Sequence, residues 1–278
     1  MGDARRVKIA LFGSNSTGKT LQIKTLIESL GVENVGIISV EDGLSTIASI
    51  LNLEHVYQPT RISQFEADLT TCSQKYSGAH QFLCIDGGTR LLQLNAGKIW
   101  DATDEAYEKM VFLNMRRQDF QGKDEYKMAR YGSRFITGAG EIDGYAQWKE
   151  IGVQADILFN KILQTRCNIY MNFWEDESQL GDRKKGLPWQ ADAPGKASRD
   201  AIYGFFDFIF RLTYDGGAPT AHHDRGKVMA RTKSRDDWGG GFRVEEEMAP
   251  FKLSEFYERL RPKSNVVKMP TSQPKESA

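Results

Sequence analysis

Short runs of consecutive apolar residues recur along the chain, separated by stretches in which apolar positions fall at helical spacing. Val7 to Phe12 reads as a buried strand, followed by a helix from about Lys19 to Leu30 that stops at Gly31. Val35 to Val40 is the next strand. A short helix from Leu44, an extended piece at His55 to Tyr57 and a helix over Ile62 to Tyr76 precede another buried strand, Gln81 to Ile85. Tyr145 to Gln164 forms one amphipathic helix, with Trp148, Ile151, Ala155, Leu158 and Ile162 on one face. Asn168 to Phe173 is a strand, and Asp176 to Ala197 is a loop rich in Gly, Pro and charge. Phe205 to Thr213 and Lys227 to Arg231 are expected to close the sheet as antiparallel neighbours. Strands alternating with helices predict an α/β fold: a mostly parallel central sheet flanked by helices, with an antiparallel C-terminal edge.

Two segments break this rhythm. Asn95 to Gly144 is polar, charged and rich in aromatic residues, with helical patches around Glu105 to Met115 and no strand pattern. A stretch this long between core elements is usually functional or partly disordered, so residues 95–144 read as a helical, charged insertion. Pro262 to Ala278 carries Pro, Ser and Lys with few apolar residues and reads as a disordered tail. The expectation is one domain over residues 1–261, with the tail at 262–278.

Composition narrows the class. Hydrophobic content of 40% suits a protein that buries a core. No stretch nears the roughly 18 apolar residues that span a bilayer, so no membrane partner is expected. The N-terminus lacks a signal-peptide pattern, and Arg6 stands where a myristoylation signal has Ser or Thr. Cys72, Cys84 and Cys167 lie far apart without a CxxC pair; free thiols in a reducing cytoplasm are the simple reading. Zero formal net charge argues against general polyanion binding and leaves room for a local basic groove.

The sharpest signal is Gly13-Ser14-Asn15-Ser16-Thr17-Gly18-Lys19-Thr20, a full GxxxxGK[ST] pattern between an apolar strand and an amphipathic helix. Glycines let successive backbone N–H groups point at phosphate oxygens, and the helix adds its positive end. Lys19 supplies charge to the β- and γ-phosphates, and Thr20 offers its hydroxyl to Mg2+. The chemistry also needs an acid at a neighbouring strand tip. Phe82-Leu83-Cys84-Ile85-Asp86 supplies one in Asp86, which otherwise reads as a helix N-cap. Val40-Glu41-Asp42 ends the second strand similarly. Glu41 is the preferred base for orienting or deprotonating a water, with Asp42 as its competitor or as a helix cap.

With these residues together, the chain resembles RecA-type P-loop ATPases, and more closely the phage-encoded "AAA domain" nucleotide-binding proteins, some of which are RecA-like single-strand annealing proteins. Ile37 to Leu44 is similar to the RecA segment whose acid is the catalytic base, which implies that role for Glu41; Asp86 falls at the family's magnesium acid. Pro194-Gly195-Lys196, Phe206 to Leu212 ending in Arg-Leu, and Gly226 to Arg235 with Arg-Thr-Lys follow the phage group's order. The resemblance spans residues 7 to 260 and implies a RecA-like P-loop NTPase core with ATP as cofactor. It also implies a homo-oligomer with nucleotide at the subunit interface, acting in the bacterial host cytoplasm. In such assemblies a basic pair reaches the neighbour's site, which implies that role for Lys233 and Arg235, with Arg231 in reserve. Where the family often has a γ-phosphate-sensing Gln or His, this chain has Asn172.

Basic and aromatic residues interleave over Met115 to Tyr131. Arg116, Arg117, Lys123, Lys127 and Arg130 alternate with Phe120, Tyr126 and Tyr131, and Arg134 and Phe135 follow. Single-stranded DNA asks for cations along phosphates and rings for stacking; Asp119, Asp124 and Glu125 dilute the charge, and a solvated hairpin is the alternative. Arg183, Lys184 and Lys185 are the second candidate DNA contact, at the loop with which RecA-like proteins commonly touch DNA. His222 and His223, beside Asp224, read as a solvent-facing turn rather than a metal site. A GTPase is disfavoured because Arg235 stands where an NKxD pattern needs Asp. The expectation is an ATPase acting on single-stranded DNA in recombination or annealing; a nucleotide-switched binding module and a P-loop phosphotransferase are the alternatives.

Overall fold

The computed structural model describes residues 6–176, 190–215, 218–223, 247–248 and 250–260. Its strands are β1 (Lys8–Gly13), β2 (Val35–Ser39), β3 (Val56–Tyr57), β4 (Phe82–Asp86), β5 (Asn168–Trp174), β6 (Phe208–Asp215), β7 (Ala218–His223) and β8 (Glu247–Met248). They form one sheet in the order β3-β2-β4-β5-β1-β6-β7-β8. Pairing is parallel from β3 through β6 and antiparallel for β6-β7 and β7-β8. The architecture is an α/β fold with a mostly parallel central sheet and an antiparallel edge.

The helices are α1 (Leu21–Leu30), α2 (Ile62–Lys75), α3 (Gly88–Tyr107), α4 (Lys127–Gly132), α5 (Gly144–Leu163), α6 (Gly195–Phe205) and α7 (Leu253–Leu260). Central strands are buried on both faces because helices cover both. Successive β1 residues therefore feed opposite cores. Ala10 and Phe12 join Phe65, Leu91, Phe159 and Ile202 on the face of α2, α3, α5 and α6. Ile9 and Leu11 join Ile23, Leu26 and Phe256 under α1 and α7. Phe256 packs edge-on against Phe208 and Phe210 at 5.1 and 5.0 Å between ring centres, pairs worth about 0.5–1.5 kcal/mol each beyond burial. Side chains of α1 cap α7: Gln22 Oε1 accepts from the Leu253 N–H at 2.9 Å and Thr25 Oγ1 from that of Ser254 at 3.3 Å.

Three readings of the pattern change here. First, α3 runs unbroken through Tyr107, and its Asn95, Ala96, Ile99, Ala102 and Ala106 are buried. Residues 95–107 therefore belong to a core helix, and the irregular segment starts at a π-turn over Glu108–Phe112. Second, α6 begins in residues read as the end of a loop, Gly195 to Ala197, and ends at Phe205, read as the start of a strand; it buries Ser198, Ala201 and Ile202. That helix is the crossover that brings β6 alongside β1 in parallel, while β7 supplies its antiparallel neighbour. Third, the antiparallel partner of β6 is β7, which takes in the backbone of His222 and His223, read as a solvent-facing turn; Lys227 to Arg231 lie outside the described residues.

The segment after α3 folds back on it. Gly132 ends α4 so close to α3 that a Cβ there would fall 1.7 Å from the Ala102 carbonyl oxygen. Phe120, Ala129 and Ile136 close over Ala106, and Phe135 packs with Ala96, Ile99 and Ile151.

Candidate functional site

The parallel strands β1, β2, β4 and β5 end at the same edge of the sheet, the usual ligand-binding edge of open α/β folds. The loop after β1 carries Gly13, Ser14, Asn15, Ser16, Thr17, Gly18, Lys19 and Thr20. Ser16 and Gly18 take positive φ, at 62° and 87°, which turns the backbone inward. Gly13 lies against β6: a Cβ there would come within 2.4 Å of the Leu212 carbonyl oxygen. Thr17 Oγ1 donates to the Ser14 carbonyl at 2.9 Å. No side chain caps α1, and its first turn holds no acid, so its positive end is left to an outside anion.

Lys19 Nζ donates to the Gly13 and Ser14 carbonyls at 2.8 and 2.7 Å. Burial pushes its ammonium down to about 8, against the pull of Glu41, Asp86 and Glu175. Lys19 is thus a desolvated cation beside carboxylates, poised for an arriving anion.

Thr20 and Asp86 meet directly: the hydroxyl donates to Oδ1 at 3.0 Å. Asp86 is 1% exposed. Burial raises its carboxyl above the usual range, opposed by hydrogen bonds from Asn172, Thr20 and Ser39 and by the charge of Lys19. Ser39 Oγ lies 3.4 Å from Oδ2 and donates to the Glu41 carbonyl at 2.6 Å. The donor set fits a magnesium ion: one buried carboxylate whose ionised form needs a cation, plus one hydroxyl. Asp86 is not an N-cap; α3 opens after Gly87 at φ 96° without a side-chain cap.

Glu41 and Asp42 separate clearly. Asp42 is exposed in the first turn of the 3-10 helix Asp42–Ile50. Glu41 makes no cap hydrogen bond; its side chain turns over Gly87, where a Cβ would meet Glu41 Cγ at 2.7 Å. Its Oε2 accepts from the Trp174 indole N–H at 3.2 Å, and its Oε1 is buried without a hydrogen-bond partner among the described residues. Burial, then the negative charge of Asp86, raises its carboxyl above the ordinary value.

The sequence-level reading missed how much of this edge hangs on the end of β5. Asn172 donates its amide to Asp86 Oδ1 and accepts from the Gly87 N–H at 2.7 Å. Trp174 reaches Glu41. Glu175 Oε2 accepts from Ser14 Oγ at 3.0 Å, and its Oε1 from Arg211 Nε at 2.8 Å. Tyr170 donates to the Lys19 carbonyl at 2.7 Å. A polar residue at every second position of an otherwise apolar strand, Tyr170, Asn172 and Trp174, is the signal that marks this face.

The sequence profile of a family described as "AAA domain" matches residues 5–244. The chain belongs to that AAA domain family. No curated protein sequence matches it. Similar solved structures include the RadB recombinase, at 12% identity over 81% of this chain and 84% of that one, with a TM-score of 0.38. A KaiC-like protein from the hyperthermophilic archaeon Pyrococcus horikoshii OT3 is similar at 11% identity over 78% and 76%, with a TM-score of 0.39. As a member of the AAA domain family with a P-loop pattern, the chain carries an AAA-type nucleotide-binding domain.

The other candidates of this AAA-domain chain stand apart. The N-terminus of α3 touches the phosphate edge, and the helix is 20 residues long, so its far end is roughly 28 Å away. Arg116, Lys123, Lys127 and Arg130 are exposed on the segment that follows. Arg117 donates to the Ile136 carbonyl, and Lys123 lies 5.4 Å from the Tyr126 ring centre. Phe120 and Phe135 are 0% and 2% exposed. These two rings do not serve for base stacking, which corrects their expected role: Phe120 is packed against Ala106, Ala129 and Ile136, and Phe135 against Ala96, Ile99 and Ile151. Arg183, Lys184, Lys185, Arg231, Lys233 and Arg235 lie outside the described residues, as do Asp224 and the side chains of His222 and His223. Among the described residues no helix is long and apolar enough to cross a membrane, no cluster of three or more His, Cys, Asp or Glu is placed to hold a metal, and the three cysteines are buried and free.

Proposed function

We propose that this chain binds and hydrolyses ATP with magnesium, and that it acts as a RecA-like homo-oligomer on single-stranded DNA in phage-type recombination or strand annealing. The observation that carries the nucleotide reading is the convergence of Lys19, Thr20, Asp86 and Glu41 on one edge, from three strands far apart in sequence. In this reading the loop N–H groups and Lys19 hold the phosphates. Magnesium, held by Thr20 and Asp86, would neutralise charge on the phosphate oxygens. Glu41 Oε1 takes a proton from the attacking water, whose oxygen bonds to the γ-phosphorus as the bond to the β–γ bridging oxygen breaks. ADP and phosphate leave.

The exposed cations Arg116, Arg117, Lys123, Lys127 and Arg130 support a DNA-facing surface on the segment beyond α3. Arg183, Lys184 and Lys185 are assigned as a second contact, and Lys233 and Arg235 as the pair reaching a neighbour's nucleotide, on the family resemblance. One sheet built from strands between residues 8 and 248 supports a single domain over 1–261. A cytoplasmic setting goes with this role.

A second reading has one specific support. Asn172, at the position of the expected phosphate sensor, is bonded to Asp86 and Gly87. A nucleotide-switched binding module with little turnover accounts for that engagement.

ATP hydrolysis by the purified chain, with and without single-stranded DNA, separates the two. Turnover raised by DNA and lost in Glu41→Gln supports the recombination ATPase; binding without turnover in either condition supports the switch.

A further inference from the structure

Trp174 is the last residue of β5, and its backbone is tied down on both sides. Its N–H donates to Thr89 Oγ1 at 2.9 Å, and its carbonyl accepts from the Asp192 N–H at 2.8 Å. Thr89 Oγ1 in turn donates to the Asp192 carbonyl at 2.8 Å. The indole therefore sits on a rigid platform joining β5, the first turn of α3 and the chain before α6. From it, Nε1–H reaches Glu41 Oε2 at 3.2 Å across 133 residues of sequence.

Glu41 has no other hydrogen-bond partner for its carboxylate among those the structure gives. It does not cap the helix that follows it, and Oε1 is buried with nothing bonded to it. A glutamate on a strand-end loop has three free torsions, and fixing one oxygen removes most of that freedom. An acceptor buried without a partner is costly unless something occupies it during function. Glu41 lies within electrostatic reach of both Lys19 and Asp86, so the vacant acceptor belongs to the phosphate edge.

We propose that Trp174 is the positioning residue for Glu41: its indole N–H fixes Oε2 and keeps Oε1 as the acceptor for the attacking water. This rests on Glu41 being the base. Trp174 touches neither nucleotide nor water; it acts through Glu41, so its loss lowers kcat and spares nucleotide affinity.

The test compares Trp174→Phe, which keeps a ring and removes the N–H, with Trp174→Leu, which removes both, and with Glu41→Gln. For each full chain, steady-state ATP turnover, ATP affinity by calorimetry and thermal unfolding are measured. The expected result is a kcat about 10-fold lower in Trp174→Phe, the worth of one hydrogen bond to a charged group, with unchanged ATP affinity and melting. Full turnover in Trp174→Phe beside loss in Trp174→Leu makes the ring a packing element and overturns the proposal. Native turnover in Glu41→Gln overturns the base assignment itself, and absent hydrolysis in the native chain overturns both together. A readout that needs no Trp174 variant to fold is the indole 15N–1H resonance, identified as the one that responds to Glu41→Ala. A shift of a single indole toward its free position is expected, and five unmoved indoles overturn the proposal.

Discussion

The hydroxyl of Thr20 donates to Asp86 Oδ1 at 3.0 Å, so the end of the phosphate loop and the tip of β4 meet across 66 residues of chain. In the proposed function this hydroxyl and buried carboxylate would hold a hard divalent cation, because oxygen donors and residual negative charge are what such an ion requires. Asp86→Asn keeps the shape and removes the charge. Its ATP affinity in magnesium is expected to fall about 10- to 100-fold, with little change in the absence of the metal, as befits loss of one charged contact. Calorimetric titrations with magnesium and with chelator check this; equal losses in both conditions refute a metal role for Asp86.

Lys19 titrates near 8 in the folded chain against an ordinary 10.5. Between those values the unfolded state holds more protons, so stability rises with pH across the window from about 8 to 10.5. Below it, the cost of the buried charge is present in full. A bound triphosphate favours the charged form, so ATP binding at pH 8 to 9 is expected to take up protons, a fraction of one per site. Titration in two buffers of different ionisation enthalpy measures the uptake, and Lys19→Met should abolish both the uptake and tight binding. Proton release on binding contradicts the assignment.

Asn172 is buried and satisfies two groups at once, Asp86 Oδ1 and the Gly87 N–H. Asn172→Leu strands the Gly87 N–H and leaves Asp86 Oδ1 with Thr20 as its remaining donor. The expected destabilisation is about 1–3 kcal/mol, the cost of one unsatisfied buried group. The urea midpoint reads it, and a midpoint within error of the native chain shows that other groups or water replace the amide.

Gly132 has no room for a side chain, since the obstacle is the Ala102 backbone rather than a flexible tip. Gly132→Ala must push α4 away from α3, an overpacking cost of about 1–3 kcal/mol. The displaced segment carries Arg116, Lys123, Lys127 and Arg130, while the P-loop lies at the other end of α3. Single-stranded DNA affinity is therefore expected to fall several-fold with ATP affinity intact. Fluorescence anisotropy with a labelled oligonucleotide, beside ATP titration, checks the separation; unchanged DNA binding removes this segment from the DNA surface.

Much of the fold was legible because apolar runs and helical spacing are local properties. The runs ending at Phe12, Ile85 and Phe173 fall on β1, β4 and β5 with ends one residue off. The helix α6 was not legible: Gly195 to Phe205 is short, begins at a Pro-Gly pair and has a mean hydropathy close to neutral. Its helicity is secured by packing Ala201 and Ile202 on the core beneath α5. The aromatic residues of the insertion misled for the same reason. A ring for stacking on a base and a ring for filling a small core look alike in sequence, and Phe120 and Phe135 fill cores.

By itself the sequence determined the phosphate loop, since Gly13 to Thr20 is contiguous and its backbone turns follow from its own glycines and the strand and helix on either side. It also determined that acids stand at the tips of β2 and β4. Only the tertiary structure decided which groups those acids meet: Thr20 and Asn172 for Asp86, Trp174 for Glu41, Ser14 and Arg211 for Glu175. The physical reason is strand order. β5 lies between β1 and β4 although it follows them by more than 80 residues. The hydrogen bonds at its end therefore join positions that chain proximity never brings together, and they form only once the sheet has closed around them.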